Sequence, residues 1–213
     1  MMKGIVGKKM GMTQAYDETG RRHALSVIKA EPGIVVRVKS AETDGYDAIQ
    51  VGFAEVEAKK LNRPDAGQFK KHLPTKAAYK TLKEFRVESP KDYKVGQAIT
   101  VELFAEGELV DVQGVTVGKG FAGNVKRNHF GRGPMSHGSK NRRESGSIGT
   151  SAAPSRVVPG RRMPGQLGNK TRTVQRIRVF RVDAQNHLIF LLGGVPGHRN
   201  GIVTVHETVK KTK

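Results

Sequence analysis

Leu109-Val110-Asp111-Val112-Gln113-Gly114-Val115-Thr116-Val117 alternates apolar with polar or small residues, then stops at Gly118-Lys119-Gly120-Phe121-Ala122-Gly123. The first nine residues have the period of a half-buried strand. Beyond Val117 that period is lost. From residue 118 to residue 176 there are thirteen Lys or Arg and a single acid, Glu144. The same 59 residues hold 11 of the 26 Gly, four of the nine Pro and only thirteen apolar side chains. A stretch this poor in apolar surface cannot offset its ordering entropy with a core of its own. It is expected to be disordered alone, or ordered by something it wraps.

Outward from this stretch the chain reads as short strands. Ile34, Val36 and Val38 alternate with Val35, Arg37 and Lys39, and similar runs stand at 24–30, 48–53, 99–104, 176–182, 188–192 and 202–206. Turn residues separate them at Glu31-Pro32-Gly33, Asp44-Gly45, Glu106-Gly107 and Asn200-Gly201, and Asp44-Gly45 is the strongest hairpin signal. Only 75–85 has a helical look, with Ala77, Ala78, Leu82 and Phe85 roughly on one face. No internal repeat is visible. Many short strands at close spacing predict a mainly β fold, a barrel or sandwich. The predicted organisation is a split β domain, 1–117 with 177–213, interrupted by a long basic loop over 118–176.

The charge selects the class of partner. Thirty-eight Lys and Arg against nineteen Asp and Glu leave +19, and the 118–176 window carries +12 of it. Enzymes of small neutral metabolites have no physical need for such a field; a polyanion such as nucleic acid, or an anionic membrane surface, does. The absence of Cys excludes disulfide frameworks, thiolate zinc sites and cysteine nucleophiles, and fits a reducing compartment. The opening residues hold no apolar run long enough for a signal peptide. The longest apolar stretch, Leu188–Leu192, is far short of a membrane span. A cytoplasmic protein without a membrane partner is expected.

Two glycine-rich motifs invite other readings. Gly118-Lys119-Gly120-Phe121-Ala122-Gly123-Asn124-Val125 fits G-x-G-x-x-G-x-V, shared by dinucleotide-binding turns and kinase glycine loops. Such a turn must open a helix, yet Gly131, Gly133 and Pro134 come soon after it, and Glu144 stands after Arg142-Arg143 rather than after a strand. Gly165-Gln166-Leu167-Gly168-Asn169-Lys170-Thr171 resembles a phosphate-binding loop, but Asn169 takes the place of the Gly that must precede Lys. The seven His form no metal-ligating pair, and Ser136-His137 has no acid to orient the imidazole. No catalytic residue, cofactor or metal is expected.

A charge run is ordinarily a solvated face or a tail. Here the cations come singly and in pairs between Gly, Pro and Ser, and both ends re-enter a strand-rich domain, so the run is a loop. Threading between phosphates accounts for Arg as charge and fork and for Gly as slenderness. The residues expected to meet phosphate are Lys119, Lys126, Arg127, Arg132, Lys140, Arg142, Arg143, Arg156, Arg161, Arg162, Lys170 and Arg172. Out and back, about 29 residues per arm span at most ~100 Å. A free regulatory or chaperone nucleic-acid-binding protein is the rival to a structural nucleic-acid-bound one; an enzyme is third.

Phe104, Asp111, Gly114, Thr116, Gly118-Lys119-Gly120, Gly123 and Arg127 resemble, spacing included, the signature of the universal large-subunit ribosomal protein number three family. Gly4-Ile5-Val6-Gly7-Lys8-Lys9-Met10-Gly11-Met12-Thr13, Gly146-Ser147-Ile148-Gly149, Met163-Pro164-Gly165-Gln166-Leu167-Gly168-Asn169 and Val195-Pro196-Gly197 extend the likeness over nearly the whole chain. Pro164 and the 130–145 stretch depart from it locally. The resemblance implies a translation-factor-like β-barrel, a small α+β insert around 60–95, and an extension reaching through rRNA toward the peptidyl transferase centre. It also implies early binding near the 3′ end of the 23S-type rRNA, nucleation of subunit assembly, and large-subunit proteins fourteen and nineteen as neighbours. Gln166 matches the glutamine that is N5-methylated in some bacterial relatives.

Overall fold

The structure, a computed structural model, describes residues 3–73 and 77–210 of the 213. Its contacts divide the chain into two units, 1–115 with 171–213, and 116–170. The first unit runs β1 (Gly4–Tyr16), β2 (Arg22–Lys29), β3 (Gly33–Lys39), α1 (Ala41–Asp44), β4 (Ala48–Val56), α2 (Arg63–His72), β5 (Ala78–Arg86), β6 (Ala98–Ile99) and β7 (Leu109–Val115). The second contributes β8 (Phe121–Ala122), α3 (Asn124–Asn128) and β9 (Gly165–Gln166). The first unit then resumes with β10 (Thr171–Asp183), β11 (Leu188–Leu192) and β12 (Ile202–Glu207).

Six strands close into an antiparallel barrel in the order β1-β12-β7-β10-β11-β2, which bears out the mainly β expectation. Closure removes every free edge among the six. Alternation then aims Val110 and Val112 of β7, Ile177 and Val179 of β10, Ile189 and Leu191 of β11, and Val203 and Val205 of β12 into one core. Each such side chain contributes roughly 1.5–3 kcal/mol by leaving water. β1 is the strand that sequence reading overlooked. Its Gly4, Gly7, Gly11, Lys8 and Lys9 obscure any apolar alternation, yet it pairs with both β2 and β12.

A four-stranded antiparallel sheet, β5-β4-β3-β6, lies between β2 and β7 in the chain. Val35, Ile49, Val51, Phe53 and Phe85 join the barrel core. Val36, Ala78 and Tyr79 pack with Phe69 and Leu73 in a second cluster, where the Phe69 and Tyr79 rings meet edge to face at 5.9 Å. The α+β insert therefore extends from β3 to β6, wider than the expected 60–95, because β3 and β4 belong to this sheet and not to the barrel.

Three further expectations are corrected. The 75–85 helix is a strand over its described part: β5 pairs with β4 at eight positions from Ala48↔Arg86 to Val56↔Ala78. Cross-strand pairing overrides the apparent helical face and sends Phe85 to the main core while Ala78 joins the second; Thr75 and Lys76 lie outside the described residues. The helix is instead α2, whose stretch offers little apolar periodicity but has Pro64 and Asp65 at its start and Lys70, Lys71 and His72 at its end, the punctuation of a short helix. The 99–104 strand is β6 followed by a 3-10 turn, Val101–Leu103, after which Phe104 is buried with Val101. Asp44-Gly45 does join antiparallel strands, through α1 rather than a two-residue turn.

Candidate nucleic-acid interface

The basic unit opens as a continuation of strand pairing. Lys170 O accepts the N–H of Thr116 at 3.0 Å, and the Asn169 N–H donates to Thr116 O at 3.1 Å. Lys119 N–H donates to Leu167 O at 2.8 Å, and Leu167 N–H to Gly120 O at 2.9 Å. β8 and β9 then pair antiparallel through Phe121↔Gln166 and Ala122↔Gly165. Gly168 is required at this neck: its φ is +72°, and a Cβ there would stand 2.0 Å from Val117 O. The expected structureless loop thus has a hydrogen-bonded base, made by backbone and not by an apolar core.

Beyond the ladder, α3 turns the outgoing arm. It is one short helix, ended by His129 at φ 60°, so the glycine motif before it opens five helical residues and no dinucleotide-binding helix. Asn124 is 3% exposed. Its Nδ2 donates to Ser145 Oγ, and its Oδ1 accepts Asn128 Nδ2 at 2.6 Å. Asn128 Nδ2 also donates to Met163 O at 3.1 Å, and Arg127 Nη1 donates to the same carbonyl. Gly133 N–H donates to Arg142 O at 3.1 Å, Arg142 Nε to Ser139 O at 3.4 Å, and Arg161 Nη2 to Ser147 O. Polar side chains bonded to backbone take the place of a hydrophobic interior.

The expected phosphate-binding cations fall into distinct places. Lys119 and Lys170 sit at the neck, Lys126 and Arg127 on α3, and Arg132, Lys140, Arg142, Arg143, Arg156, Arg161 and Arg162 on the irregular segment between α3 and β9. Arg172 is not in this unit at all: it lies on β10, opposite Gly114 of β7. Sequence reading placed it in the loop because Thr171-Arg172-Thr173-Val174-Gln175-Arg176 continues the basic, apolar-poor window; in the structure 171–176 is exposed throughout. All twelve are exposed except Arg127, which is half-buried. Within 116–170 eleven Lys or Arg face Glu144 alone, and among the described residues none of them forms an ion pair. Gln166 is exposed on β9. Its cross-strand partner Phe121, 79% exposed, was missed; an aromatic inside a glycine-rich basic run is the signal that points to it.

Among the described residues no three His, Asp or Glu gather as a metal site, and no helix is long and apolar enough to cross a membrane. A closed β-barrel unit whose β7–β10 connection is a second, acid-poor polycationic unit defines the class: a β-barrel protein with a strongly cationic excursion, a charge pattern that suits a polyanionic partner. Comparison with known proteins narrows it. Residues 84–187 match the family model described as ribosomal protein L3. The large ribosomal subunit protein uL3 of Nostoc punctiforme is 50% identical over 205 residues, covering 96% of this chain and 97% of that protein. Those of Citrifermentans bemidjiense and Trichlorobacter lovleyi are 48% and 46% identical over the full length of both chains. The chain belongs to the ribosomal protein L3 family.

Proposed function

We propose that this protein is a structural constituent of the large ribosomal subunit that binds large-subunit rRNA through its 116–170 unit. The single observation that carries the reading is the eleven mostly exposed cations of that unit, none in an ion pair among the described residues, against one acid. Family membership supplies the polyanion. In this reading the exposed cations neutralise phosphates, Phe121 offers a face on which an unpaired base stacks, and the glycines keep the arms thin. The extension points toward the peptidyl transferase centre, and binding near the 3′ end of the 23S-type rRNA helps nucleate assembly. Large-subunit proteins fourteen and nineteen are its neighbours, Gln166 is the site of N5-methylation, and the chain acts in the cytoplasm without chemistry of its own.

Two measurements test this. Sucrose-gradient sedimentation with immunoblotting should place the protein in large subunits and their precursors; a signal confined to the top of the gradient sinks the proposal. With the purified protein and a large-subunit rRNA transcript, about half a dozen phosphate contacts predict a log affinity against log salt slope of roughly −4 to −6. A slope near zero means that the unit is not an electrostatic binder.

A further inference from the structure

We infer that Arg127 is a positioning residue: its guanidinium is the strut that holds the returning arm of the basic unit, and it does not serve as one of the phosphate-binding cations. The inference rests on the rRNA-binding reading and divides labour within it. Arg127 alone among the twelve expected contacts is half-buried. Its Nη1 donates to Met163 O, whose remaining lone pair is taken by Asn128 Nδ2 at 3.1 Å. The guanidinium also lies against Gly165 so closely that a Cβ on Gly165 would stand 2.9 Å from Nη1 and 3.1 Å from Cζ.

The chain path explains why a strut is needed here. Arg127 belongs to α3 on the outgoing arm, five residues past Ala122, and Ala122 pairs with Gly165 on the incoming arm. Past this pair the two arms share no regular ladder, and no apolar core closes the gap. The guanidinium of Arg127 bonds the backbone at Met163, beside Asn128 Nδ2, and presents a flat surface to Gly165, so it braces the returning arm where the β8–β9 ladder ends. A Lys keeps the charge but has neither the plane nor the fork. Arg142 and Arg161 also donate to backbone carbonyls, yet both are exposed, which leaves their remaining N–H groups free for phosphate.

Charge and geometry are separable by experiment, using the full-length protein as wild type, Arg127→Lys, Arg127→Ala and Arg162→Ala. In the RNA-free protein, hydrogen exchange of the Leu167 and Lys119 amides should accelerate about tenfold or more in both Arg127 variants and stay unchanged in Arg162→Ala. With a large-subunit rRNA transcript, both Arg127 variants should bind about tenfold more weakly at every salt concentration, because RNA must then order the arm itself. Their salt slope should match wild type. Arg162→Ala should instead make the slope shallower by about 0.7–0.9. Wild-type exchange and affinity in Arg127→Lys would overturn the proposal, as would a slope shallower by one phosphate in Arg127→Ala. If the wild type itself shows no salt-dependent binding, the rRNA reading fails, while the exchange measurement still decides the strut.

Discussion

The carboxylate of Asp111 accepts the backbone N–H of Arg176 at 2.9 Å. β10 carries an extra residue there: Val174 faces Val112 and Ile177 faces Val110, so Gln175 and Arg176 together oppose Asp111. Arg176 takes φ 57°, a conformation that costs a non-glycine residue free energy. The second carboxylate oxygen accepts the Val209 N–H at 3.4 Å, and Asp111 itself is 1% exposed. One buried acid therefore secures the barrel bulge, just past the start of the strand that receives the chain from the basic unit, and also the segment after β12.

Replacing Asp111 by Ala should leave two N–H groups without this acceptor and lower stability by about 2–4 kcal/mol. Asp111→Asn retains an acceptor oxygen and should cost about 1 kcal/mol. Denaturant unfolding checks this, with a shifted midpoint and unchanged slope; equal midpoints for Asp111→Ala and wild type would remove the bulge from the stability argument.

His206 stands opposite both Asp111 and Gly4. Burial holds its imidazole below the ordinary value of 6.5, Lys83 pushes the same way, and Asp111 opposes them. The unfolded chain therefore takes up the proton more readily than the folded one. The stability this gives is present above 6.5 and is lost as pH falls through the depressed folded value. His206→Gln should flatten the fall in unfolding midpoint between about pH 7.5 and about pH 5.5. His72, also held low by burial, acts in the same direction, so the His206 share is read as the difference from wild type. An unchanged pH profile in the variant would contradict the assignment.

Gly168→Ala should act on the neck alone. The added Cβ meets backbone, Val117 O, and the φ is left-handed, so nothing flexible can yield. The expected result is loss of exchange protection at Lys119 and Leu167, with the barrel's unfolding midpoint within about 0.5 kcal/mol of wild type. A barrel destabilised by several kcal/mol would show that the two units unfold together.

The place of excision matters. Replacing 118–168 by a short Gly-Ser linker leaves Val115 paired with Thr171, and the barrel should fold, since loop closure depends weakly on length. RNA affinity should fall sharply, because ten of the twelve cations go. Extending the cut through Thr173 removes three β10 residues that pair with Val115, Gly114 and Gln113, and should destabilise the barrel measurably. Equal stability of the two deletions by calorimetry would mean that the first residues of β10 contribute nothing.

Sequence alone determined the mainly β class, the bracketing of an acid-poor polycationic stretch by strands, and a charge that suits a polyanionic partner. These are properties of composition and of period-two alternation, both of which are local. It also located the cations of the basic stretch, since charge needs no partner to be visible. It missed β1 and α2 and misread β5, because glycines and lysines obscure a strand whose partners are distant in the chain, and pairing with β4 outweighs a helical pattern of four residues.

Tertiary structure decided the rest. It moved Arg172 from the loop to β10, extended the insert to the whole β5-β4-β3-β6 sheet, and separated Arg127 from the other cations. In sequence Arg127 is one cation among thirteen in its window. Whether a guanidinium meets solvent phosphate or a backbone carbonyl depends on where Met163 and Gly165 return, some 36 residues later. That return is set by hydrogen-bonded register between the arms, a long-range relation that no local pattern of residue types encodes.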